Sequence, residues 1–465
     1  MAKAASKTTQ LDVFGALLDQ AREYAGAYIN AAHDQPLNPG AAALARLAEF
    51  DIPLPSGPTD ASAMLAQLHD IGSPTTLPST GGRYFGFVNG GAHPPALAAK
   101  WLSDIWDQNA AFYVMSPIAS KLEDVCERWI VELLGLPKQT VAGFVGGTST
   151  AISVGFVTAR NELLARQGWD VAARGLFGAP QIRVVVGEQT HSAVYKALSY
   201  IGLGTDRVEI VPADDQGRMI TEKLPELDAH TLVVTQAGNV NSGAFDPLDA
   251  ICDKAQKAGA WVHVDGAFGL WAGASKNKRP LLKGFEKADS WAVDAHKTLN
   301  APYDCGIILC RHPEKLASAM QASGSYLQTT EGERDGMYYV PEMSRRARAT
   351  ELWALLKTMG RSGVEELVDQ LCARAESLAE GLKSQGFQIK NDVVFNQVLV
   401  ACETPEQTRA TLENIQQDGE IWCGGATWHD QPVIRASICS WATTQADIER
   451  AIVAFCAARE RANLI

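Results

Sequence analysis

Through the middle of the chain, short β-branched apolar runs alternate with longer stretches in which apolar residues recur at helical spacing. The short runs are typical of buried strands, and the longer stretches are typical of amphipathic helices. Repeated strand–helix–strand units predict a mostly parallel sheet covered by helices, which is an α/β fold. The predicted strands are residues 141–146, 182–187, 207–211, 231–235, 261–265, 290–294 and 305–310, and the predicted helices are residues 148–166, 191–201 and 247–258.

The two ends of the chain have different patterns. The N-terminal part is rich in Ala and Leu at helical spacing and carries no evident chemistry, so we expect it to serve as support or as a dimer contact. In the C-terminal part, two strand candidates, 393–400 and 433–438, lie between long amphipathic helices, 350–383 and 444–462. The pattern predicts an N-terminal helical segment of residues 1–84, a large α/β domain of residues 85–344 and a small α+β domain of residues 345–465.

The overall composition narrows the classes of partner. With 46% hydrophobic and 20% charged residues, the chain resembles an ordinary soluble globular protein. A formal net charge of −12 argues against nucleic acid and against an anionic membrane surface as partners. No apolar run approaches the roughly 20 residues of a membrane helix, and acids interrupt the apolar residues near the N-terminus, so we expect no secretory signal. The nine dispersed cysteines lack metal-ligand spacing, so we expect reduced thiols, no metal and a cytoplasmic protein.

Two polar residues stand at or just beyond the ends of successive predicted strands. Asp265 ends the run W-V-H-V-D, and Lys297 follows the run S-W-A-V-D. The carboxyl ends of parallel strands gather such groups at one edge of a sheet. A buried carboxylate requires a cationic partner, and a protonated pyridine nitrogen is one. Because a lysine amine can hold an aldehyde cofactor as a Schiff base, the pair indicates a pyridoxal phosphate (PLP) site.

Each member of this pair also has a plainer interpretation. A lysine after a strand can point to solvent from a loop, and only its combination with Asp265 and the motifs below favours a cofactor. His263 shares a strand face with Asp265, so a metal pair is a further alternative. A third ligand at suitable spacing is missing, which argues against the metal.

A glycine turn and a histidine supply further candidate groups. Gly146 and Gly147 follow a predicted strand, and Thr148 and Ser149 open the next helix. The free N–H groups of a first helical turn suit a phosphate, although an ordinary tight turn with a Thr or Ser cap is equally consistent. His191 also opens a helix, where its imidazole can stack on a flat ring and meet a substrate carboxylate, or only cap the helix.

Two more candidates lie toward the C-terminus. Residues 328–341, Q-T-T-E-G-E-R-D-G-M-Y-Y-V-P, have the pattern of a mobile lid that carries a phenol acid, and equally of an ordinary surface loop. Arg435 lies in the strand candidate V-I-R-A-S-I. Its guanidinium can bind a substrate carboxylate or serve in a structural ion pair, and the sequence leaves both open.

Motifs over most of the chain resemble those of one enzyme family. They are similar to the motifs of group II PLP-dependent amino acid decarboxylases, of the aromatic-amino-acid and glutamate decarboxylase type, on the fold-type I (aspartate aminotransferase-like) scaffold. Taken together they are specific for the family and only weakly specific for substrate. The motifs are G-G-R-Y-F-G-F (81–87), S-P-I-A-S-K-L-E (116–123), G-G-T-S-T-A (146–151), H-S-A-V-Y-K-A (191–197), G-A-F-D-P (243–247), W-V-H-V-D-G-A-F (261–268), D-A-H-K (294–297) and S-R-R-A-R (344–348).

The resemblance implies PLP as the cofactor and a role for each matched residue. It implies phosphate contacts from Thr148 and Ser149, a histidine stacked on the ring, an aspartate on the pyridine nitrogen and Ala267 packed against the ring. It also implies a loop tyrosine that protonates the substrate carbon, for which Tyr338 is the better match and Tyr339 the fallback. The implied catalytic residues are Lys297, His191 and Tyr338, and the implied cofactor-binding residues are Gly147, Thr148, Ser149, His191, Asp265, Ala267, His296 and Lys297.

The resemblance further implies a reaction and an assembly. The reaction is decarboxylation of an L-amino acid to its amine, in a homodimer with its active sites at the interface and the N-terminal segment wrapped around the partner. Candidate substrate contacts are Phe87, Val88, Tyr113 and Arg435, of which the first three favour an aromatic or apolar side chain. Alternatives on the same scaffold are a carbon–carbon lyase, an aldehyde synthase, against which the two loop tyrosines argue, and an aminotransferase. A non-catalytic PLP-binding protein is a further alternative, against which the intact Lys297 argues.

The chain departs from the family pattern next to the lysine. Many relatives have Asn-Pro before the His-Lys pair and a Trp after it, where this chain has Asp294-Ala295 and Thr298. Because an Asp would repel a phosphate dianion, we expect Asp294 to point elsewhere or the phosphate contacts to be rearranged. Relatives also often carry Thr where Asn239 and Val240 stand.

Overall fold

Two β-sheets organise the part of the chain that the structure describes, one with seven strands and one with five. The computed structural model describes residues 7–321 and 330–463. The larger sheet is built from the middle of the chain, and the smaller one mainly from the C-terminal part. The strands are β1 (Tyr84–Phe85), β2 (Val141–Val145), β3 (Arg183–Gly187), β4 (Val208–Val211), β5 (Thr231–Gln236), β6 (Trp261–Asp265), β7 (Ser290–Asp294), β8 (Gly306–Cys310), β9 (Gln388–Ile389), β10 (Gln397–Ala401), β11 (Trp422–Trp428) and β12 (Gln431–Ser437).

The larger sheet has the strand order β2-β8-β7-β6-β5-β3-β4. The pairs from β7 to β4 are parallel, while β8 is antiparallel to both of its neighbours. The predicted mostly parallel sheet is therefore confirmed, and its seven strands were predicted to within about one residue. Since β2 and β7 are both antiparallel to β8, the carboxyl ends of β2, β3, β5, β6 and β7 lie at one edge of the sheet.

Helices flank both sheets, and some connections are short 3₁₀ turns. Capping is visible at several helix starts, as at Asp60, whose carboxylate accepts a hydrogen bond from the N–H of Ala63. The helices are α1 (Lys7–Ala32), α2 (Ala41–Ala45), α3 (Ala61–Thr75), α4 (Pro94–Trp106), α5 (Pro117–Leu134), α6 (Thr148–Ala165), α7 (Val171–Arg174), α8 (Ser192–Tyr200), α9 (Leu248–Ala258), α10 (Pro313–Met320), α11 (Ala349–Ser384), α12 (Pro405–Asp418) and α13 (Gln445–Ala462).

Apart from the edge strand β4, the larger sheet is buried on both faces, as is usual for sheets made mostly of parallel strands. Alternate residues of one strand face opposite sides, so Val184 packs in the layer formed with α6, α8 and α10, while Val185 packs in the layer formed with α5, α9 and α11. Close packing extends to His263 of β6, whose imidazole leaves no space for a side chain at Gly155 of α6. The strand ends are thereby fixed relative to one another.

The smaller sheet has the order β1-β11-β12-β10-β9, with only the β1–β11 pair parallel. It packs against α11, α12 and α13, and apart from β1 all of its strands and these helices lie within residues 345–465. The sequence pattern predicted neither β1 nor β11, and it placed β10 four residues too early. Residues 84–85 thus join a sheet whose other strands lie more than 300 positions further along the chain.

The long helix α11 connects the two sheets. Its first part packs in the core of the larger sheet and its second part in the core of the smaller one. Gly360 interrupts the helix with a φ of 60°, a conformation that glycine adopts at little cost. None of the helices within the described ranges is long and apolar enough to cross a membrane.

Candidate active site

A cleft of about 230 Å³ opens at the edge where the carboxyl ends of β2, β3, β5, β6 and β7 meet. The residues implied as cofactor-binding all line this cleft, although they are distributed over about 150 positions of the sequence. Of the candidate substrate residues, Val88 also lines it. The cofactor-site residues brought together are Gly147, Thr148, Ser149, His191, Asp265, Ala267, His296 and Lys297.

Lys297 lies in the turn that follows β7, and its amine faces a carboxylate. Nζ is 3.1 Å from Oδ2 of Asp294, and the lysine side chain is 23% exposed. Asn300, with a φ of 62°, closes the turn: its Oδ1 accepts hydrogen bonds from the backbone N–H groups of Gly91 and Trp441. The sequence analysis missed Asn300, although an Asn is one of the few residues that tolerate this conformation in a tight turn.

Asp294 points into the cleft, which is the case in which the sequence analysis expected the phosphate contacts to be rearranged. Its buried carboxylate accepts hydrogen bonds from the backbone N–H and the hydroxyl of Thr148, at 2.7 and 2.9 Å. These donors belong to the first turn of α6, where unpaired N–H groups and the helix dipole favour an anion. The sequence argument considered only the repulsion between Asp294 and a phosphate, and not the donors that hold the carboxylate there.

Asp265 is a buried carboxylate with few partners. Its Oδ1 accepts a hydrogen bond from the N–H of Ala267 at 3.1 Å, the one hydrogen bond to this carboxylate from a described residue. Burial raises the pKa of Asp265, and the charges of His191 and Lys297 oppose that rise. Such a group is stabilised by a cation placed in the cleft. Among the described residues, no group of three or more His, Cys, Asp and Glu side chains is arranged to hold a metal ion.

His191 caps a helix and also lines the cleft. It caps α8, since its Nδ1 accepts a hydrogen bond from the N–H of Ala193 at 3.2 Å, and it also lines the cleft. Enclosure in the cleft lowers the pKa of His191, against the opposing effect of Asp265. Because Nδ1 accepts the hydrogen bond from Ala193, the ring proton is on Nε2, which leaves that N–H as a hydrogen-bond donor.

His296 is likewise held in one tautomer. Its Nδ1 accepts a hydrogen bond from the N–H of Cys305 at 3.2 Å, and its Nε2 is 3.6 Å from Oδ2 of Asp294. Burial lowers the pKa of His296. The ring packs against Tyr303 with a centroid distance of 4.3 Å, a contact that the sequence analysis missed.

Arg435 of β12 is not part of an ion pair with a described residue. Its guanidinium donates to the carbonyl oxygens of Val240 and Phe87 and to the amide oxygen of Asn241, and its Nε is buried without a partner in the described chain. Burial lowers the pKa of Arg435. A guanidinium held only by neutral oxygens retains its charge for an anionic ligand.

Phe87 and Tyr113 do not line the cleft in this chain. Phe87 has a φ of 55°, is 59% exposed and stacks on Trp422 at a centroid distance of 5.4 Å. Tyr113 is half-buried, and its N–H donates to the carboxylate of Asp335. The sequence placed both in the pocket wall; the structure places only their neighbour Val88 there.

The tyrosines of residues 328–341 also lie outside the cleft of their own chain. Tyr338 packs with Phe112 and Met337, and Tyr339 lies beneath the guanidinium of Arg334 at 4.2 Å. The segment from 335 to 337 is buried, so this half of the predicted lid is packed against the protein. Residues 328 and 329 lie outside the described ranges.

The residues at the cleft fit pyridoxal phosphate. The carboxylate of Asp265 suits a protonated ring nitrogen, the amine of Lys297 suits an aldehyde, and His191 and Ala267 offer surfaces for a flat ring. The hydroxyl and backbone N–H of the exposed Ser149 have no hydrogen-bond partner among the described residues and are free for a phosphate. The part of the phosphate site at Thr148 is already taken by Asp294.

Fold and cleft together define a fold-type I PLP enzyme. The crystal structure of Oryza sativa TDC with PLP and tryptamine has the same fold, with a TM-score of 0.89 over 99% of each chain at 20% sequence identity. At the level of sequence, the pyridoxal-dependent decarboxylase conserved domain matches residues 47–401. The chain therefore belongs to the pyridoxal-dependent decarboxylase family, and PLP is its cofactor.

Characterised relatives align with most of the chain. Cysteine sulfinic acid decarboxylase of Mus musculus is 31% identical over 331 residues, which cover 67% of this chain and 65% of that protein. Acidic amino acid decarboxylase GADL1 of Homo sapiens is 29% identical over 354 residues, which cover 73% of this chain and 66% of that protein. The chain thus spans slightly less than two thirds of the length of these relatives.

Proposed function

We propose that this protein is a carboxy-lyase that converts an L-amino acid to its amine and CO₂. The observation that carries the proposal is the convergence of Lys297, Asp265 and His191 on one cleft in a chain of the decarboxylase family. Bound PLP supplies an electron sink for the pair left on the α-carbon when its bond to the carboxylate breaks. Asp265 keeps the ring nitrogen protonated, and Lys297 anchors the cofactor and releases the product amine.

His191 and Arg435 orient the substrate in this proposal. The Nε2–H of His191 is a donor at the cleft, because the hydrogen bond from Ala193 fixes the tautomer. Arg435 touches Val240, which lines the cleft, and carries a positive charge that no described carboxylate neutralises. We assign the α-carboxylate of the substrate to this guanidinium.

The cleft walls favour an aromatic or apolar substrate side chain. Val88, Val240 and Phe268 present apolar surface, and Lys297 is committed to the cofactor. With Arg435 on the α-carboxylate, the described cleft offers no second free cation for an acidic side chain. An acidic substrate is the second candidate, because relatives at 31% and 29% identity are named for cysteine sulfinic acid and acidic amino acids.

The test is a panel of L-amino acids with aromatic, aliphatic, carboxylate and sulfinate side chains, scored for CO₂, amine, aldehyde and keto acid. We expect amine and CO₂ in equal amounts, with the highest kcat/KM for an aromatic or aliphatic substrate. Keto acid without CO₂ would contradict the proposal in favour of transamination, and aldehyde with CO₂ would favour the oxidative route. Highest activity with glutamate or cysteine sulfinate would select the second candidate.

Replacement of Arg435 tests the assignment of the carboxylate. We expect Arg435→Met to raise KM about 30- to 100-fold with a smaller effect on kcat, because a charged hydrogen-bonding partner contributes about 1.5–3 kcal/mol. Arg435→Lys keeps the charge and recovers part of the affinity. Steady-state kinetics with the best substrate of the panel measure both. An unchanged KM in Arg435→Met would remove Arg435 from the substrate site.

The proposed role of Tyr338 requires it to act in the cleft of a second copy, since it lies outside its own. We expect Tyr338→Phe to lower amine formation about 100-fold, the lower end of the range for a general acid. Tyr339→Phe is the matched control, because the guanidinium of Arg334 packs over the ring of Tyr339. A third variant, Tyr326→Phe, alters the tyrosine of the segment outside the described residues. Loss of amine formation there and not in Tyr338→Phe would transfer the assignment to Tyr326.

We also propose a homodimer. The helices α1 and α4 and the segment after α4 carry large apolar side chains that are exposed in a single chain, such as Phe14, Trp101, Leu102 and Ile105. A partner is required to bury these side chains. If that partner is a second copy of the chain, Tyr338 of one copy can also reach the cleft of the other. Sedimentation velocity is expected to give twice the mass of the chain, and a monomer at micromolar concentration would contradict this.

The cytoplasm is the proposed location. All nine cysteines are unpaired, which suits a reducing compartment. Cell fractionation is the corresponding measurement, and recovery in an oxidising, secreted fraction would contradict the proposal.

A further inference from the structure

The carboxylate of Asp294 contacts each positive element of the cofactor site at once. One of its oxygens accepts the backbone N–H of Thr148, and the other accepts the Thr148 hydroxyl and lies 3.1 Å from Nζ of Lys297. The same oxygen is 3.6 Å from Nε2 of His296. The partial positive charge at the N-terminus of α6 and the ammonium of Lys297 are thus both paired with the carboxylate of Asp294.

The carboxylate has little freedom to leave this position. Asp294 is 2% exposed and ends β7, where its N–H donates to the carbonyl of Ala267 at 2.9 Å. Its own carbonyl oxygen accepts the indole N–H of Trp271 at 2.8 Å. A phosphate that binds at α6 would therefore meet this carboxylate, because the main chain of Asp294 is fixed and its side chain is buried against Thr148 and Lys297.

The remaining donors at the helix start define the phosphate position. Ser149 is exposed to the cleft with its N–H and hydroxyl free, one residue beyond the donors that Asp294 uses. His296 is neutral and faces the same carboxylate, so it adds no positive charge. A cofactor phosphate held by Ser149 would be next to a carboxylate that competes for the same helix dipole.

We propose that Asp294 is a built-in counter-ion that holds Lys297 in position and weakens binding of the cofactor phosphate. The Asp294 carboxylate accepts hydrogen bonds that the first turn of α6 would otherwise offer to a phosphate. The ring and Lys297 are therefore expected to contribute more to PLP binding than the phosphate does. Asp294 is a positioning residue for Lys297 and a determinant of cofactor affinity. The inference rests on the PLP cofactor and not on which amino acid is the substrate.

The test is a comparison of two ligands on the full-length protein after removal of its cofactor. PLP and pyridoxal, which lacks the phosphate, are titrated separately and followed by absorbance. We expect Asp294→Asn to bind PLP about tenfold more tightly, because loss of a neighbouring charge removes a repulsion that is strong at reduced dielectric. Pyridoxal affinity is expected to stay the same or to fall, since Lys297 loses its partner.

Two controls separate this effect from general changes. Asp206→Asn changes the net charge equally at an exposed position and is expected to leave both affinities unchanged. Inorganic phosphate, used alone as a competitor of PLP, is expected to inhibit the Asp294→Asn protein at lower concentration than the unmodified protein. Equal or weaker PLP binding by Asp294→Asn, or equal tightening of PLP and pyridoxal, would overturn the proposal. Neither result depends on turnover, so failure here is distinct from failure of the decarboxylase proposal.

Discussion

We expect Lys297→Ala to lose the covalent attachment of PLP and to lower kcat on the order of 10⁴-fold, which corresponds to about 5.4 kcal/mol of activation free energy. The amine of Lys297 is the one lysine amine that lines the cleft in the described chain. Its ion pair with Asp294 holds it there, and no other lysine of the described chain lines the cleft to replace it. The cofactor still binds without a covalent bond, because Asp265, His191 and Ser149 remain.

Borohydride reduction followed by peptide mass spectrometry measures the attachment directly. In the unmodified protein, the reduced adduct is expected on the peptide that contains Lys297 and on no other. Lys196→Ala is the matched control, because Lys196 is exposed on α8, the helix that His191 caps. A reducible adduct of equal yield in Lys297→Ala would show that the assignment of this residue is wrong.

Asp265→Asn is expected to separate activity from stability. We expect kcat/KM to fall about 10²- to 10³-fold, because an amide cannot hold the ring nitrogen in its cationic form. The cofactor-free variant is expected to be more stable than the cofactor-free parent at pH 7, because it no longer buries an under-paired carboxylate. Steady-state kinetics measure kcat/KM of the variant and the parent, and thermal unfolding measures the stability of both cofactor-free proteins.

The pH dependence of that stability difference has a definite sign. Burial raises the pKa of Asp265 in the folded protein above its value in the unfolded chain, which is about 3.9 for an aspartate. Ionisation therefore opposes folding, and its cost grows as the pH rises from about 4 through the folded-state pKa. The advantage of Asp265→Asn should be present at pH 7 and absent near pH 4. An advantage that increases toward low pH would contradict this account.

The position of the active site could be predicted because it depends on chain direction. Strand periodicity determined which residues end β2, β6 and β7, and parallel pairing brings such ends to one edge. This rule placed Asp265 and Lys297 at or just beyond strand ends, and the glycine turn after β2 together with the family resemblance added Thr148. The rule carries no information on side-chain partners, which is why the sequence left two possibilities open for Asp294 and did not indicate its hydrogen bonds with Thr148.

The substrate side of the site was harder to predict because it depends on long-range pairing. Phe87 follows β1, and β1 joins the smaller sheet through Trp422 and Cys423, far along the chain. That pairing turns the Phe87 ring toward Trp422 and its carbonyl toward Arg435. No local pattern around residue 87 indicates a strand partner at residue 422, so the sequence could suggest the wall residues but not their orientation.

The segment from β1 to Gly91 ties the smaller sheet to the cofactor lysine. At one end it pairs with β11, and at the other a side chain on Gly90 would overlap the carbonyl oxygen of Lys297, while Gly91 donates to Asn300. This segment, together with the hydrogen bond from Trp441 to Asn300, holds Arg435 and Lys297 at a set separation. An insertion in the segment from β1 to Gly91 would displace Arg435 or Lys297. To engineer a new substrate range, the changes therefore have to be made in side chains of the cleft wall such as Val88 and Val240.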